Sequence, residues 1–259
     1  TAEIACFINS TTDLDQQITK GNALGYGEFH RFITRARIAK SEGTARRCRS
    51  LGGMAIDRTK IRIGISGWRY TPWRGVFYPE DLPQRLELHY ASRVLPTIEI
   101  NGSFYSLQYP DSYRRWCEDT PADFVFAVKG PRFITHMKKL KDVEAPLANF
   151  FASGVFNLER KLGPILWQFP PNFGYDPARL TKFFALLPRD TAGALKLARR
   201  RDTRMKGRSK LAIDANRPLR HAIEVRHTSF CDPSFIELLR EHNIALVIAE
   251  TAKRFPMMH

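Results

Sequence analysis

The sequence predicts an α/β fold in which a parallel sheet is covered by helices, and three observations predict it. Short apolar or β-branched runs, bounded by Gly, Pro or Asn, recur at 61–66 (IRIGIS), 97–101 (TIEIN), 123–129 (DFVFAVK), 164–169 (PILWQF), 221–226 (HAIEVR) and 244–250 (IALVIAE). Helical patterns fall between them, and strand-helix alternation means parallel strands with helices on the faces. Six such units fit a doubly wound sheet or part of a (β/α)₈ barrel. The first run ends in GISGW, without the GxGxxG turn of a dinucleotide-binding sheet, which favours the barrel.

The helices follow in chain order. LPQRLELHYASRV (82–94) repeats apolar residues at helical spacing. PLANFFASGVFNLERKL (146–162) sets Leu147, Phe150, Phe151, Val155, Leu158 and Leu162 on one broad face. At 232–243, Asp232 supplies an N-cap carboxylate, Pro233 takes the first helical position, and Phe235, Leu238 and Leu239 form the apolar face. Residues 1–53 read differently, with scattered Gly, Thr, Ser and Arg and only a weak helical patch around Phe29 to Ile38. They are expected to be an irregular or disordered extension, with the barrel domain running from Met54 to residue 259.

Composition sets the outer limits. With 259 residues, 43% hydrophobic and 26% charged, the chain suits a globular protein with a sizeable core. No apolar run approaches the roughly 18 residues that cross a bilayer, and the amino terminus lacks the pattern of a signal peptide, so no membrane partner is expected. Cysteines at 6, 48, 117 and 231 show no CxxC pair or metal-ligand spacing, which points to reduced thiols in the cytoplasm. A net charge of +15 favours anionic partners in general.

Five segments carry a resemblance: GISGWRYTPWRGVFYPEDLPQ (64–84), TIEINGSFYSLQYP (97–110), FVFAVKGPRFITH (124–136), LGPILWQFPPNF (162–173) and HAIEVRHTSFCDPSF (221–235). Together, in this order and spacing, they resemble the DUF72, or YecE-like, family over about residues 61–254. The resemblance implies a TIM-barrel-like fold and a cytoplasmic protein, and it implies no known reaction. The family pattern continues through two further βα units, whereas this chain stops at FPMMH. The expectation is therefore an incomplete barrel of about six of eight units. Where family members usually end the sixth strand in Asp-Ser or Asp-Thr, this chain has Glu250-Thr251.

In such barrels the site lies at the carboxy ends of the strands. Alternation puts Glu99 and Asn101 on one face; Lys129 closes its strand, Gln168 sits near the end of the next, and Glu224 shares a face with Arg226. Buried charges are costly unless paired. These residues are thus either an ionic plug of the barrel or a polar pocket for a small anionic or sugar-phosphate ligand. In the second reading Glu99 and Glu224 carry proton transfer, Lys129 and Arg226 clamp the anion, and no cofactor is needed. Beside a guanidinium a carboxylate stays ionised, so Glu99 is the better acid or base if Phe104, Trp68 and Trp167 give it apolar surroundings. Trp68 and Tyr105, each just past a strand end, are the candidates for stacking on a sugar or base. Whether the chain is an enzyme is left open, an inactive fragment being a further reading.

Two other chemistries are weaker. His221, Glu224 and His227 fail as a metal site, because six residues of strand separate the histidines by about 20 Å and Glu224 faces away from both. Ser66 has no His–Asp relay beside it. The stretch from Lys196 to Lys210 carries eight Lys or Arg against one Asp. It reads as a solvated insertion or as a non-specific, salt-sensitive nucleic-acid contact through Arg199, Arg200, Arg201, Arg204, Lys206 and Arg208. It has no interleaved aromatics and matches no known nucleic-acid module. The sequence does not fix an oligomeric state.

Overall fold

The computed structural model describes the backbone at 4–8 and the whole of residues 61–249 and 255–256. The chain divides into two compact units, Thr1–Glu99 with Asp119–Phe124, and Ile100–Glu118 with Val125–His259.

In the first unit, strands β1 (Ile4–Ile8), β2 (Ile61–Ser66) and β3 (Thr97–Ile100, to Glu99) pair in that order and in parallel. β1 is a strand that the hydrophobic pattern does not single out; the rest of the expected extension, the Phe29–Ile38 patch and the boundary at Met54 lie outside the described residues. In the β2–β3 ladder Gly64 stands opposite Thr97 and Ser66 opposite Glu99. A Cβ at residue 64 would meet the Thr97 carbonyl oxygen at 2.2 Å, so only glycine permits this approach. Beyond β2 the chain turns at Gly67 (φ 78°) into a knot of Trp73, Phe77 and Tyr78, closed by Tyr90 of α1 (Glu87–Val94). Glu87, almost fully buried, is held by Arg74 at 3.1 Å.

The second unit contains α2 (Gly102–Tyr105), α3 (Pro110–Asp119), β4 (Val125–Lys129), a π turn (Phe133–Met137), α4 (Glu144–Ala152), β5 (Leu162–Gln168), α5 (Pro177–Leu186), α6 (Thr191–Ala198), β6 (His221–Glu224), α7 (Pro233–Glu241) and β7 (Ala245–Leu246). β4 to β7 pair in chain order and in parallel. Phe126, Val128, Ile165, Trp167 and Ile223 of the strands and Phe150, Phe151, Phe183 and Phe184 of the helices are all buried, and Trp167 meets Phe150 and Phe183 edge-on. Two helices begin alike. Asp176 and Asp232 each cap a helix whose first residue is proline, accepting from the backbone N–H of Arg179 and Ser234.

The six anticipated strands are present; the one at 61–66 keeps its bounds, β5 starts two residues earlier at Leu162, and the other four are shorter. β6 stops at Glu224 rather than Arg226, and β7 keeps only two residues, although Val247 N–H still donates to Ile223 O at 2.8 Å. Glu250-Thr251 lies outside the described residues. One helix needs correction. The face drawn over 146–162 is two pieces, α4 and a 3₁₀ stretch at Val155–Lys161, broken at Gly154 with φ 101°. Pro110 packs so close that a Cβ at residue 154 would lie 2.4 Å from its Cα. Glycine's conformational freedom overrides the apolar periodicity there.

Candidate functional site

The parallel register of β5 and β6 sets Gln168 directly opposite Glu224. Both side chains are buried, and the Gln168 Nε2 donates to both Glu224 oxygens at 2.8 Å. Arg226, just past β6, donates through Nε to Glu224 Oε1 at 2.9 Å. Its guanidinium also lies 4.7 Å from the centre of the Phe255 ring. The Glu224–Arg226 pairing expected from strand alternation is therefore present, and Gln168 completes it.

Lys129 ends β4 with only 6% of its surface exposed. Its carbonyl accepts from Ser103 Oγ at 2.6 Å, and its Nζ lies 5.3 Å from the centre of the Phe104 ring. The edge contact of that ring with His136, at 5.1 Å, brings in a residue the sequence reading missed. His136 sits in the π turn after β4, its Nδ1 2.8 Å from Thr135 Oγ1. Burial, then the charges of Arg226, Arg132 and Lys129, push its pKa down to about 4, while Glu224 opposes them. The imidazole is thus neutral at pH 7 and stands in a field dominated by cations. The only available signal was its place at the end of FVFAVKGPRFITH; an irregular turn has no periodicity to mark it.

Asn101 precedes α2, its carbonyl accepting from Phe104 N–H. Tyr105 is 69% exposed and lines a different cleft, with Arg204 and Arg208. In the first unit Glu99 is buried and accepts from Ser66 Oγ at 2.6 Å. Trp68 is buried there too, its carbonyl accepting from Tyr78. His221 and His227 have structural partners. The His221 ring accepts from the Trp167 indole N–H and contacts Pro188 O, and burial lowers its pKa to about 4. His227 caps the turn at Thr228–Phe230 by accepting from Ser229 N–H.

Parallel strands paired in chain order, with helices between them and polar side chains at their carboxy ends, define an α/β protein. The chain belongs to the family described as "Protein of unknown function DUF72", whose model matches residues 62–258. It is 30% identical over 118 residues to the UPF0759 protein YunF of Bacillus subtilis, covering 44% of this chain and 41% of that protein. It is 30% identical over 116 residues to the UPF0759 protein YecE of Escherichia coli K12, covering 44% and 39%. These matches thus span about two fifths of the relatives' length. Among solved structures, a DUF72 family protein of Thermotoga maritima aligns with a TM-score of 0.55 at 25% identity, over 76% of this chain and 68% of that one. One from Enterococcus faecalis aligns at 0.50 and 20% identity, over 72% and 60%, and shows the shared fold. Among the described residues no helix is long and apolar enough to cross a membrane.

Proposed function

We propose that the second unit binds a small carboxylate- or phosphate-bearing metabolite, such as a sugar phosphate, at the carboxy ends of β4 to β6. The observation that carries this reading is Arg132, which acts on His136 together with Arg226 and Lys129, is exposed and has no ion-pair partner among the described residues. An anionic ligand would give it one.

Each residue then has a task. Arg226, held rigid by Glu224, presents its guanidinium to the anion, and Lys129 adds a point charge. Gln168 fixes Glu224, whose Oε2 is touched by Gln168 and not by Arg226 and so stays open to accept a proton. His136 is neutral near pH 7 and exchanges a proton through Nε2, the nitrogen not engaged by Thr135. Glu99, beside the Ser66 hydroxyl, is the proton-transfer candidate of the first unit. If chemistry follows binding, it is proton transfer by protein side chains alone.

Isothermal titration calorimetry with inorganic phosphate, glycerol 3-phosphate and acetate tests the reading. The expected result is saturable binding of at least one anion, weakened about tenfold or more by Arg226→Gln and by Lys129→Gln, the usual scale for losing a charge-assisted contact. No heat from any anion, or wild-type affinity in both variants, would remove the proposal.

A further inference from the structure

The cleft that Tyr105 lines shares Phe104 with the surroundings of His136 and has a volume of about 270 Å³. Tyr105 and Phe133 supply aromatic surface, and Arg204 and Arg208 supply charge. Among the described residues six large apolar side chains are exposed, and four of them, Tyr105, Tyr109, Phe133 and Met137, belong to the two short segments 105–109 and 133–137. Exposed aromatic surface concentrated in this way marks a binding face.

Arg208 gives the face its chemistry. Its guanidinium lies 4.4 Å from the centre of the Tyr109 ring, and one terminal nitrogen donates to Leu107 O at 2.9 Å. Its Nε is buried and has no acceptor, a donor position that folding normally fills. Along the basic stretch, Arg200 pairs with Glu144 and Arg204 with Asp202, which leaves six of the eight cations without a carboxylate partner among the described residues. Lys196, Arg199, Lys206 and Lys210 of these are exposed. The aromatics that the stretch itself lacks are brought to it by the loop after α2 and the π turn.

We infer that this face binds single-stranded nucleic acid, with bases stacked on Tyr105 and Phe133 and the phosphate backbone following Arg208 and the lysines. Stacking selects single strands because the base faces of a duplex are already covered. The Arg208 guanidinium then pairs its charge with a phosphate. A free mononucleotide would engage one ring and one cation, whereas the same stretch of chain carries four further exposed cations.

The test is fluorescence anisotropy of the full chain with labelled twelve-nucleotide oligodeoxyuridylate, its oligouridylate counterpart and a twelve-base-pair duplex, at two salt concentrations. Single strands should bind at least about tenfold tighter than duplex, and the two single-strand arms identify the preferred sugar. Tyr105→Ala, at an exposed position, should weaken binding about 5- to 100-fold, the effect of removing one stacking platform. Arg208→Gln, checked for folding by circular dichroism, should reduce the logarithmic salt slope by about 0.7. Arg226→Gln should change nothing here, so failure of the anion site and failure of this face are told apart. Duplex binding as tight as single-strand binding, or Tyr105→Ala binding like wild type, would overturn the inference and leave only attraction to surface charge.

Discussion

Two histidines set how this protein responds to acid. The pKa values of His136 and His221 are both lowered to about 4 from the ordinary 6.5, chiefly by burial. Between those values the unfolded chain binds protons that the folded chain refuses. Their contribution to stability is therefore complete above pH 6.5 and is lost as pH falls toward 4. For His221, which is almost wholly buried, the loss is about 3 kcal/mol at about 1.4 per pKa unit; the half-buried His136 adds less. Urea denaturation from pH 7.5 to 4.5 should show the midpoint falling through this window, and His221→Gln should flatten the slope. A midpoint independent of pH would contradict the burial argument. The two residues also show what sequence can and cannot reveal. His221 stands at the start of an apolar run and was read as the first residue of its strand, which it is. His136 lies in a turn whose shape depends on tertiary packing, and no local pattern announces it.

At the level of elements, strands were easier to read than helix breaks. A strand shows itself through β-branched runs with Gly or Pro at the ends, and all six runs became strands within a few residues. The helix drawn over 146–162 failed because apolar spacing continues across Gly154, while the conformation there is dictated by Pro110, 44 positions earlier in the chain. Gly154→Ala should therefore cost about 2 to 4 kcal/mol, combining the penalty of positive φ with the collision against Pro110. Equilibrium denaturation measures this; a loss below about 0.5 kcal/mol would mean that the break is not glycine-dependent. The Gln168–Glu224–Arg226 cluster was partly legible for the same reason. Alternation paired Glu224 with Arg226, but only the β5–β6 register, which no single strand encodes, places Gln168 opposite Glu224.

For the whole molecule, a net charge of +15 is the dominant electrostatic fact. Several exposed pairs, such as Arg114–Glu118 and Arg200–Glu144, contribute little to stability and weaken with salt. Self-repulsion among the surplus cations weakens as well, since the screening length is about 10 Å at 0.1 M. With 41 Lys and Arg against 26 Asp and Glu, repulsion is the larger of the two terms. The thermal midpoint should rise by a few degrees between 20 and 200 mM sodium chloride, as differential scanning fluorimetry would record. A falling midpoint would mean that the local pairs outweigh the global excess. Fold class and family were readable from the motifs, because each places polar residues at a strand end; the Tyr105–Arg208 cleft was not, because its parts lie about 100 positions apart.

The bond from the Trp167 indole to His221 Nδ1 gives the chain an optical reporter of its own. A charged imidazole quenches a neighbouring indole and cannot accept its hydrogen, so the emission of Trp167 will dim and shift when that one ring gains a proton. Acid-induced loosening of the β5–β6 seam can thus be followed by tryptophan fluorescence without attaching any dye.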